Sequence, residues 1–212
     1  YPAGNSGCQM GGWFKKEINS VEDLQGLKMR IPGFGGEVLR RNGGTPVAMP
    51  GAEIFTALQT GTLDAAEWIG PYNDLTFGFH KVAKHYYYPG WHEGGPTLEC
   101  IVNKEAYESL PKDLQTIVDI AASATNDSML AEFMARNAFA LEQIERMDDI
   151  KISPFPKDVM DAFKQASEEI IAEIIDKDPK FAKIYKSYSD YKNTVEKWTK
   201  ISEYALLKNR YE

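Results

Sequence analysis

The sequence predicts an α/β fold, with a parallel or mixed sheet flanked by helices and long helices at the C-terminus. The main observation is that strand-like and helix-like segments alternate, with strands over 27–32, 45–49 and 63–69 and helices over 37–42 and 52–60. Strands separated by helices at this pitch form parallel sheets. The second observation is that apolar residues recur every three or four positions after residue 156, which is a helical spacing.

Residues typical of helix starts and ends predict several of the other elements. Ser20 and Asp23 form a capping box for a short helix, which Gly26 ends. Pro71 and Pro111 are suited to the first turn of helices, because a proline there gives up no helical hydrogen bond. Further elements are expected as strands over 85–88, 97–103 and 150–155, and as helices over 71–79, 111–147, 157–175 and 179–207.

Composition limits the classes of protein and partner. The formal net charge of −7 disfavours nucleic acid and anionic membrane surfaces as partners. No apolar run approaches the ~20 residues that a membrane-spanning helix needs. The two cysteines, Cys8 and Cys100, allow at most one disulfide, and we expect both to be unpaired and half-buried.

One arginine is placed to bind an anion. Arg30 is the charged end of a predicted buried strand, and the pair Glu67–Trp68 ends a second strand. In open α/β sheets, ligands bind beyond the carboxyl ends of the strands. A guanidinium there suits a carboxylate, because its planar fork makes two parallel charge-assisted hydrogen bonds. Trp68 and Tyr72 follow the same strand end, so we expect both in the cleft, with Asn5 as a weaker hydrogen-bonding candidate.

A second set of residues offers only oxygen donors. Gln9, Glu67, Glu93 and the backbone carbonyl of Trp68 supply one amide oxygen, two carboxylates and one carbonyl. Such hard donors suit Na⁺ or Ca²⁺ rather than zinc or copper. From the residues alone, ordinary polar side chains in loops remain an equal alternative. The three histidines form no ligand pattern. His92, beside Glu93, could support a metal ligand from behind, but we favour its interpretation as a solvated loop residue.

Several segments together resemble a known family. These segments are DLQGLKMRIPG, ALQTGTLDAAEW, YPAGNSGCQMGGWF and EWIGPYNDLTFGFHKVAKHYYYPGWHEGGPTLE. They resemble the DctP-type solute-binding proteins of TRAP (tripartite ATP-independent periplasmic) transporters. Within that family they are similar to the subgroup that binds 2-oxo or 2-hydroxy monocarboxylates, such as pyruvate, other α-keto acids or lactate. The resemblance covers essentially the whole chain.

The resemblance implies a periplasmic-binding-protein-like fold and an organisation in three parts. Residues 1–95 are expected to form the second α/β lobe with the ligand and metal loops. Residues 96–155 would supply a crossing strand, a long helix and a return strand that link the lobes, and 156–212 would form C-terminal helices that dimerise. The resemblance also implies that the N-terminal third of the family fold lies outside this sequence.

The resemblance further implies a periplasmic binding protein that feeds TRAP membrane subunits. Gln9, Glu67, Trp68 and Glu93 would hold a cation that also touches the bound acid, while Arg30 anchors the carboxylate. We expect no catalysis, because no catalytic triad or poised base is visible. Two alternatives remain: a metal-dependent keto-acid enzyme, with the cation as a Lewis acid, and a sensor-input domain for the same acids.

Overall fold

The computed structural model describes residues 1–212 and contains eight strands and eight α-helices. The strands are β1 (Pro2–Gly4), β2 (Gly12–Phe14), β3 (Lys28–Arg30), β4 (Thr45–Val47), β5 (Ala65–Ala66), β6 (His85–Tyr88), β7 (Leu98–Glu99) and β8 (Lys151–Pro154). The helices are α1 (Gly33–Arg41), α2 (Gly51–Thr60), α3 (Pro71–Phe77), α4 (Lys104–Glu108), α5 (Lys112–Glu145), α6 (Lys157–Lys177), α7 (Pro179–Ile201) and α8 (Glu203–Tyr211). Two short 3-10 helices cover Val21–Leu24 and Phe79–Lys81.

Six strands form one mixed sheet in the order β4-β3-β5-β2-β6-β8. β3 pairs in parallel with both β4 and β5, as the alternation of strands and helices predicts. β2 lies antiparallel between β5 and β6, and β8 pairs in parallel with β6. The predicted α/β fold is therefore confirmed, and its sheet is mixed because β2 runs in the opposite direction.

The strand directions decide which loops meet. β3, β5 and β6 all end at one edge of the sheet, and the antiparallel β2 begins at that edge. The loops that follow Arg30, Ala66 and Tyr88 therefore lie beside the loop that precedes Gly12. Every residue of the predicted cation set comes from these loops.

The core beneath this edge is aromatic. Trp13 of β2 and Tyr86 of β6 are cross-strand partners, and their rings stack with centroids 4.1 Å apart. Both are fully buried, together with Ile54, Leu58 and Leu63. Burial of side chains of this size contributes about 1.5–3 kcal/mol each. The strand ends that carry the site thus rest on a fully buried core of aromatic and aliphatic side chains.

The chain divides into two compact units, residues 1–164 and 165–212. The first contains both sheets and α1–α5, and the second contains the rest of α6 with α7 and α8. The three-part division at 95 and 155 stays a prediction. No helix combines the length and the apolar character that crossing a bilayer requires.

Three expectations from the sequence are wrong in detail. The strand expected over 97–103 is only Leu98–Glu99, because Asn103 caps α4 by accepting a hydrogen bond from the backbone N–H of Ala106. The terminal helix does not run unbroken to 207, because Ser202 leaves helical geometry between α7 and α8. The two cysteines are free, as expected, but both are exposed on irregular backbone rather than half-buried.

Candidate ligand and cation site

Arg30 is held firmly at the end of β3. Its side chain is 12% exposed, and Nη1 donates to the backbone carbonyl of Glu67 at 3.0 Å and to Glu67 Oε1 at 2.5 Å. Nε donates to the carbonyl of Met49 at 3.4 Å, and Cζ lies 4.9 Å from the ring centroid of Trp68. Nη2 has no protein partner. The guanidinium is therefore fixed in place while one donor group is available to an anion.

Glu67 joins Arg30 to the loop that follows β6. It is 3% exposed, and its Oε2 lies 3.1 Å from Nε2 of His92, whose side chain is 7% exposed. The interpretation of His92 as a solvated loop residue is therefore wrong. The loop after β6 folds back over the sheet edge, where Glu93 N donates to the Gly90 carbonyl at 3.2 Å. This turn brings the imidazole onto Glu67.

The loop that carries Gln9 is bonded directly to the loop after β6. Gln9 N donates to the Glu93 carbonyl at 3.3 Å, and Gly90 N donates to the Gln9 carbonyl at 2.9 Å. A Cβ at Gly90 would lie 2.3 Å from that carbonyl oxygen, so only glycine allows this approach. Gln9 is buried, and its Oε1 has no hydrogen-bond partner. A buried amide oxygen left unpaired costs about 1–3 kcal/mol, so it is a strong candidate ligand for a cation.

The backbone after β5 presents one free carbonyl. The Glu67 carbonyl accepts from Arg30, and the Ile69 carbonyl accepts from Met10 N at 3.0 Å. The Trp68 carbonyl between them accepts no hydrogen bond. It is therefore the open backbone oxygen at this strand end, as the predicted donor set requires.

A second buried carboxylate lies behind this backbone. Asp74 is 1% exposed; its Oδ2 accepts from Trp13 Nε1 at 3.1 Å and Tyr86 Oη at 2.9 Å, and its Oδ1 accepts from Ile69 N at 3.3 Å. Burial raises its pKa to about 7, the hydrogen bonds oppose that rise, and the charge of Glu67 adds to it. Asp74 was not predictable from the sequence, because its partner Trp13 is 61 residues away along the chain and no local pattern reveals the contact.

The residues after β3 and β5 line a cavity of ≈ 170 Å³. Its walls are Arg30, Pro32, Glu67, Trp68, Ile69 and Glu93. At the ~30 Å³ that one water occupies in the liquid, this space holds roughly five or six water-sized groups. A larger cavity of ≈ 760 Å³ beside Gln9 has only one charged lining residue, the acidic Glu145. Anion recognition is therefore better served by the small cavity, where Arg30 lies.

Two predicted ligand contacts lie elsewhere in the structure. The Tyr72 ring packs edge-on against Phe133, with the Arg136 guanidinium 5.1 Å from its centroid. The Asn5 side chain accepts from Gly7 N at 2.7 Å, within its own loop. Neither residue lines the small cavity, and their roles in ligand binding stay predictions.

The donor set fits a hard cation chemically. No group of three or more histidine, cysteine, aspartate and glutamate side chains is placed to hold a metal ion. The predicted set needs only two carboxylates, with Gln9 Oε1 and the open Trp68 carbonyl completing it. Both oxygens of Glu67 already have a partner, but a carboxylate oxygen has two lone-pair sites and accepts more than one contact. Oxygen-only sets of this kind suit Na⁺ and Ca²⁺.

Comparison with known proteins places the chain in a family. The model of the DctP family, bacterial extracellular solute-binding protein family 7, matches residues 1–178. A monocarboxylate 2-oxoacid-binding periplasmic protein of Nostoc sp. is 44% identical over 203 residues, which are 96% of this chain and 56% of that protein.

Three solved structures of TRAP solute-binding proteins match almost the whole chain. The protein of Colwellia psychrerythraea, with bound calcium and pyruvate, is 50% identical with a TM-score of 0.94, and the match covers 99% of this chain and 64% of that protein. That of Pseudoalteromonas atlantica, with bound sodium and pyruvate, is 47% identical with a TM-score of 0.93, and the match covers 98% of this chain and 63% of that protein. That of Bordetella bronchiseptica, a mixed-occupancy dimer with calcium and picolinate, is 43% identical with a TM-score of 0.95. This match covers 100% of this chain and 62% of that protein.

The chain spans between 56% and 64% of the length of these four proteins. The match to the family model extends from the glycine-rich first loop through the whole of α6. It includes all four loops that meet at the sheet edge. The chain therefore belongs to the DctP family of bacterial extracellular solute-binding proteins.

Proposed function

We propose that this protein is the periplasmic receptor of a TRAP transporter for a small 2-oxo or 2-hydroxy monocarboxylate, of the pyruvate, α-keto acid or lactate class. Arg30 binds the carboxylate of the acid, and Trp68 forms an aromatic wall. A Na⁺ or Ca²⁺ ion held by Gln9, Glu67, the Trp68 carbonyl and Glu93 contacts the acid as well. The protein binds and releases the acid without making or breaking a bond.

The observation that carries this proposal is the small cavity that Arg30 shares with Glu67, Trp68 and Glu93. A guanidinium with a free donor meets two carboxylates and an open backbone carbonyl there. These groups serve an anion and a cation at once. The relatives that match nearly all of this chain hold pyruvate together with calcium or sodium, which supports the same pairing here.

Charge balance explains why acid and cation would bind together. Arg30 and Glu67 neutralise one another, so the carboxylate of Glu93 leaves one negative charge at the site. A bound carboxylate adds a second, and burying two unbalanced charges costs several kcal/mol. A Ca²⁺ ion neutralises both, and a Na⁺ ion neutralises one. The cation also offers a coordination point for the 2-oxo or 2-hydroxy oxygen of the acid.

We further propose that the receptor is a homodimer that delivers its ligand to TRAP membrane subunits. The apolar stripe of α7 is exposed, with Ile184 at 69%, Tyr191 at 71% and Trp198 at 63%. Exposed apolar patches of this size mark interaction sites. The dimeric relative from Bordetella bronchiseptica supports the same assembly.

Calorimetry on the full-length protein with matched acids tests this function. Pyruvate and lactate should bind in the presence of Ca²⁺, whereas propionate, which has the same carbon chain but no 2-oxygen, should bind much more weakly. Equal affinity for propionate would contradict the chelating role of the cation. Incubation with each acid followed by product analysis tests for turnover, and consumption of the acid would favour an enzyme instead.

A further inference from the structure

We propose that Asp74 is a positioning residue that orients the Trp68 carbonyl toward the cation. This inference rests on the proposed function, because it assumes that the Trp68 carbonyl is a cation ligand. Asp74 itself lines neither the small cavity nor the larger cavity beside Gln9. It acts through the peptide bond between Trp68 and Ile69.

The geometry of the Trp68–Ile69 peptide sets the direction of the Trp68 carbonyl. The Ile69 N–H and the Trp68 carbonyl belong to the same peptide plane. This peptide is trans, since the only cis bond in the chain is Tyr88–Pro89. In a trans peptide the N–H and C=O point in opposite directions. Asp74 Oδ1 accepts the Ile69 N–H from the core side at 3.3 Å, so the carbonyl must point away from Asp74.

The neighbouring backbone carbonyls differ from that of Trp68 in their hydrogen bonding. The carbonyls of Glu67, Ile69 and Gly70 all accept hydrogen bonds, from Arg30 Nη1, Met10 N and Asp74 N respectively. The Trp68 carbonyl alone among the four has no partner. The buried carboxylate of Asp74 thus binds the N–H of the Trp68–Ile69 peptide, which is the one peptide here whose carbonyl oxygen has no partner.

Asp74 is itself anchored by two hydrogen bonds from the sheet. Trp13 Nε1 and Tyr86 Oη, on two adjacent strands of the sheet, both donate to Oδ2. Oδ1 is therefore fixed relative to the sheet, and the Trp68–Ile69 peptide is fixed with it. Above the Asp74 pKa of about 7, where this side chain is ionised, the hydrogen bond to the carboxylate also polarises the peptide, which increases the negative charge on the carbonyl oxygen. Partners of this kind behind metal ligands change metal affinity by about 10–100-fold when they are removed.

The test compares Asp74→Asn with Ile144→Ala in the full-length protein. Asparagine keeps the shape, but it must turn its Nδ2–H₂ either toward Ile69 N or toward Trp13 and Tyr86, so it cannot accept hydrogen bonds from all three. We expect Asp74→Asn to weaken Ca²⁺ binding about 10–100-fold in calorimetry without acid. Ile144→Ala opens a space in the same buried cluster and should leave Ca²⁺ affinity unchanged.

A second readout follows the peptide itself. In ¹⁵N–¹H spectra of the cation-free protein, the Ile69 amide proton should move upfield in Asp74→Asn, because it loses its carboxylate acceptor. If that variant fails to fold, the wild-type spectrum decides. The Ile69 ¹⁵N resonance should shift when Ca²⁺ binds the carbonyl of the same peptide, and an unchanged resonance would overturn the inference.

The outcomes separate the inference from the proposed function. Wild-type protein that binds neither Ca²⁺ nor pyruvate would overturn the proposed function, and the inference with it. Wild-type protein that binds both, with an Asp74→Asn variant of equal Ca²⁺ affinity, would overturn the inference alone. An equal loss of Ca²⁺ affinity in Ile144→Ala would also overturn it, because general loosening of the core would then explain the effect.

Discussion

At the residue scale, Arg30 combines rigidity with an available donor. Nη1 and Nε are committed to groups of the protein, and the Trp68 ring lies against the guanidinium. Much of the entropy that a free arginine would lose on binding an anion is therefore lost during folding. Nη2 and its two N–H groups remain for the proposed ligand. A parallel fork from two nitrogens to one carboxylate would require Nη1 or Nε to donate to the ligand as well as to the protein.

Arg30→Lys should weaken binding of the acid by about 1.5–3 kcal/mol, the scale of a charge-assisted hydrogen bond. Lysine keeps the charge but loses the planar fork that holds Glu67 and the ligand together. Titration calorimetry with pyruvate and Ca²⁺ measures the change. Arg40→Lys is the matched control, because Arg40 is exposed and pairs only with Glu37 on α1. Unchanged affinity in both Arg30→Lys and Arg30→Ala would remove Arg30 from the site.

Asp74 should make stability depend on pH. Its pKa is about 7 in the folded protein against an ordinary value of 3.8, because burial disfavours the charged form. Between those values the folded state binds the proton and the unfolded state does not. The free energy of unfolding should therefore fall as pH rises from about 4 to about 7, by at most about 1.4 kcal/mol per pH unit.

Urea unfolding of wild type and Asp74→Asn across this pH range isolates that contribution, because the asparagine does not titrate. The difference in unfolding free energy between the two proteins should change with pH and then level off above the folded-state pKa. A difference that is constant from pH 4 to pH 8 would show that Asp74 has no raised pKa.

At the element scale, the site is built by the direction of four strands. Arg30 and Glu67 were predictable because β3 and β5 are parallel strands whose ends carry ligands in α/β sheets. The proximity of Gln9 and Glu93 to them was not predictable from spacing. It depends on the antiparallel insertion of β2, a strand of three residues that no local pattern separates from its glycine-rich loop. The oxygen-donor chemistry of these two residues and the family resemblance, rather than periodicity, brought them into the predicted set.

Two other residues show the same limit. The contact of His92 with Glu67 and that of Asp74 with Trp13 join residues 25 and 61 positions apart. Helix and strand periodicity reports which face of an element is buried, but it contains no information on such pairs. The fold class and most helices were predictable because their signals are local, namely alternation, capping residues and prolines.

Glu67→Gln and Glu93→Gln should each weaken cation and acid binding together. The two carboxylates come from different loops, and in the proposed site both bind one cation, so loss of either should reduce the affinity of the site for both ligands. Calorimetric titration of Ca²⁺ alone, and of pyruvate at fixed Ca²⁺, measures the two effects. Glu53→Gln, an exposed change on α2, is the control. A variant that lost acid affinity but kept full Ca²⁺ affinity would show that its carboxylate contacts the acid rather than the cation.

At the scale of the whole molecule, the exposed stripe of α7 is the basis of the proposed homodimer. Its aromatic and aliphatic stripe was predicted from helical spacing, and the structure leaves it exposed. Exposure of Tyr188, Tyr191 and Trp198 on one face is unfavourable in water, since more than half of each side chain's surface is left for a partner to cover. A second copy of the same stripe provides a matching apolar surface.

The double substitution Tyr191→Glu/Trp198→Glu should convert a dimer to monomers, because it places charges within the apolar stripe of both copies. Sedimentation velocity of the full-length protein measures the change. Asn193→Glu/Lys197→Glu adds acidic groups to the opposite side of the same helix and should leave the dimer intact. A wild-type protein that sediments as a monomer at micromolar concentration would contradict the assembly.

The central claim is that acid and cation bind as one unit at the edge of the sheet. The most direct test is the affinity of the full-length protein for pyruvate after exhaustive chelation and desalting, measured without added metal, with Na⁺ and with Ca²⁺. Pyruvate affinity should be low in the metal-free protein and rise when either ion is restored, with a reciprocal gain in cation affinity. Pyruvate affinity that is independent of both ions would contradict the claim and leave the two carboxylates with another role.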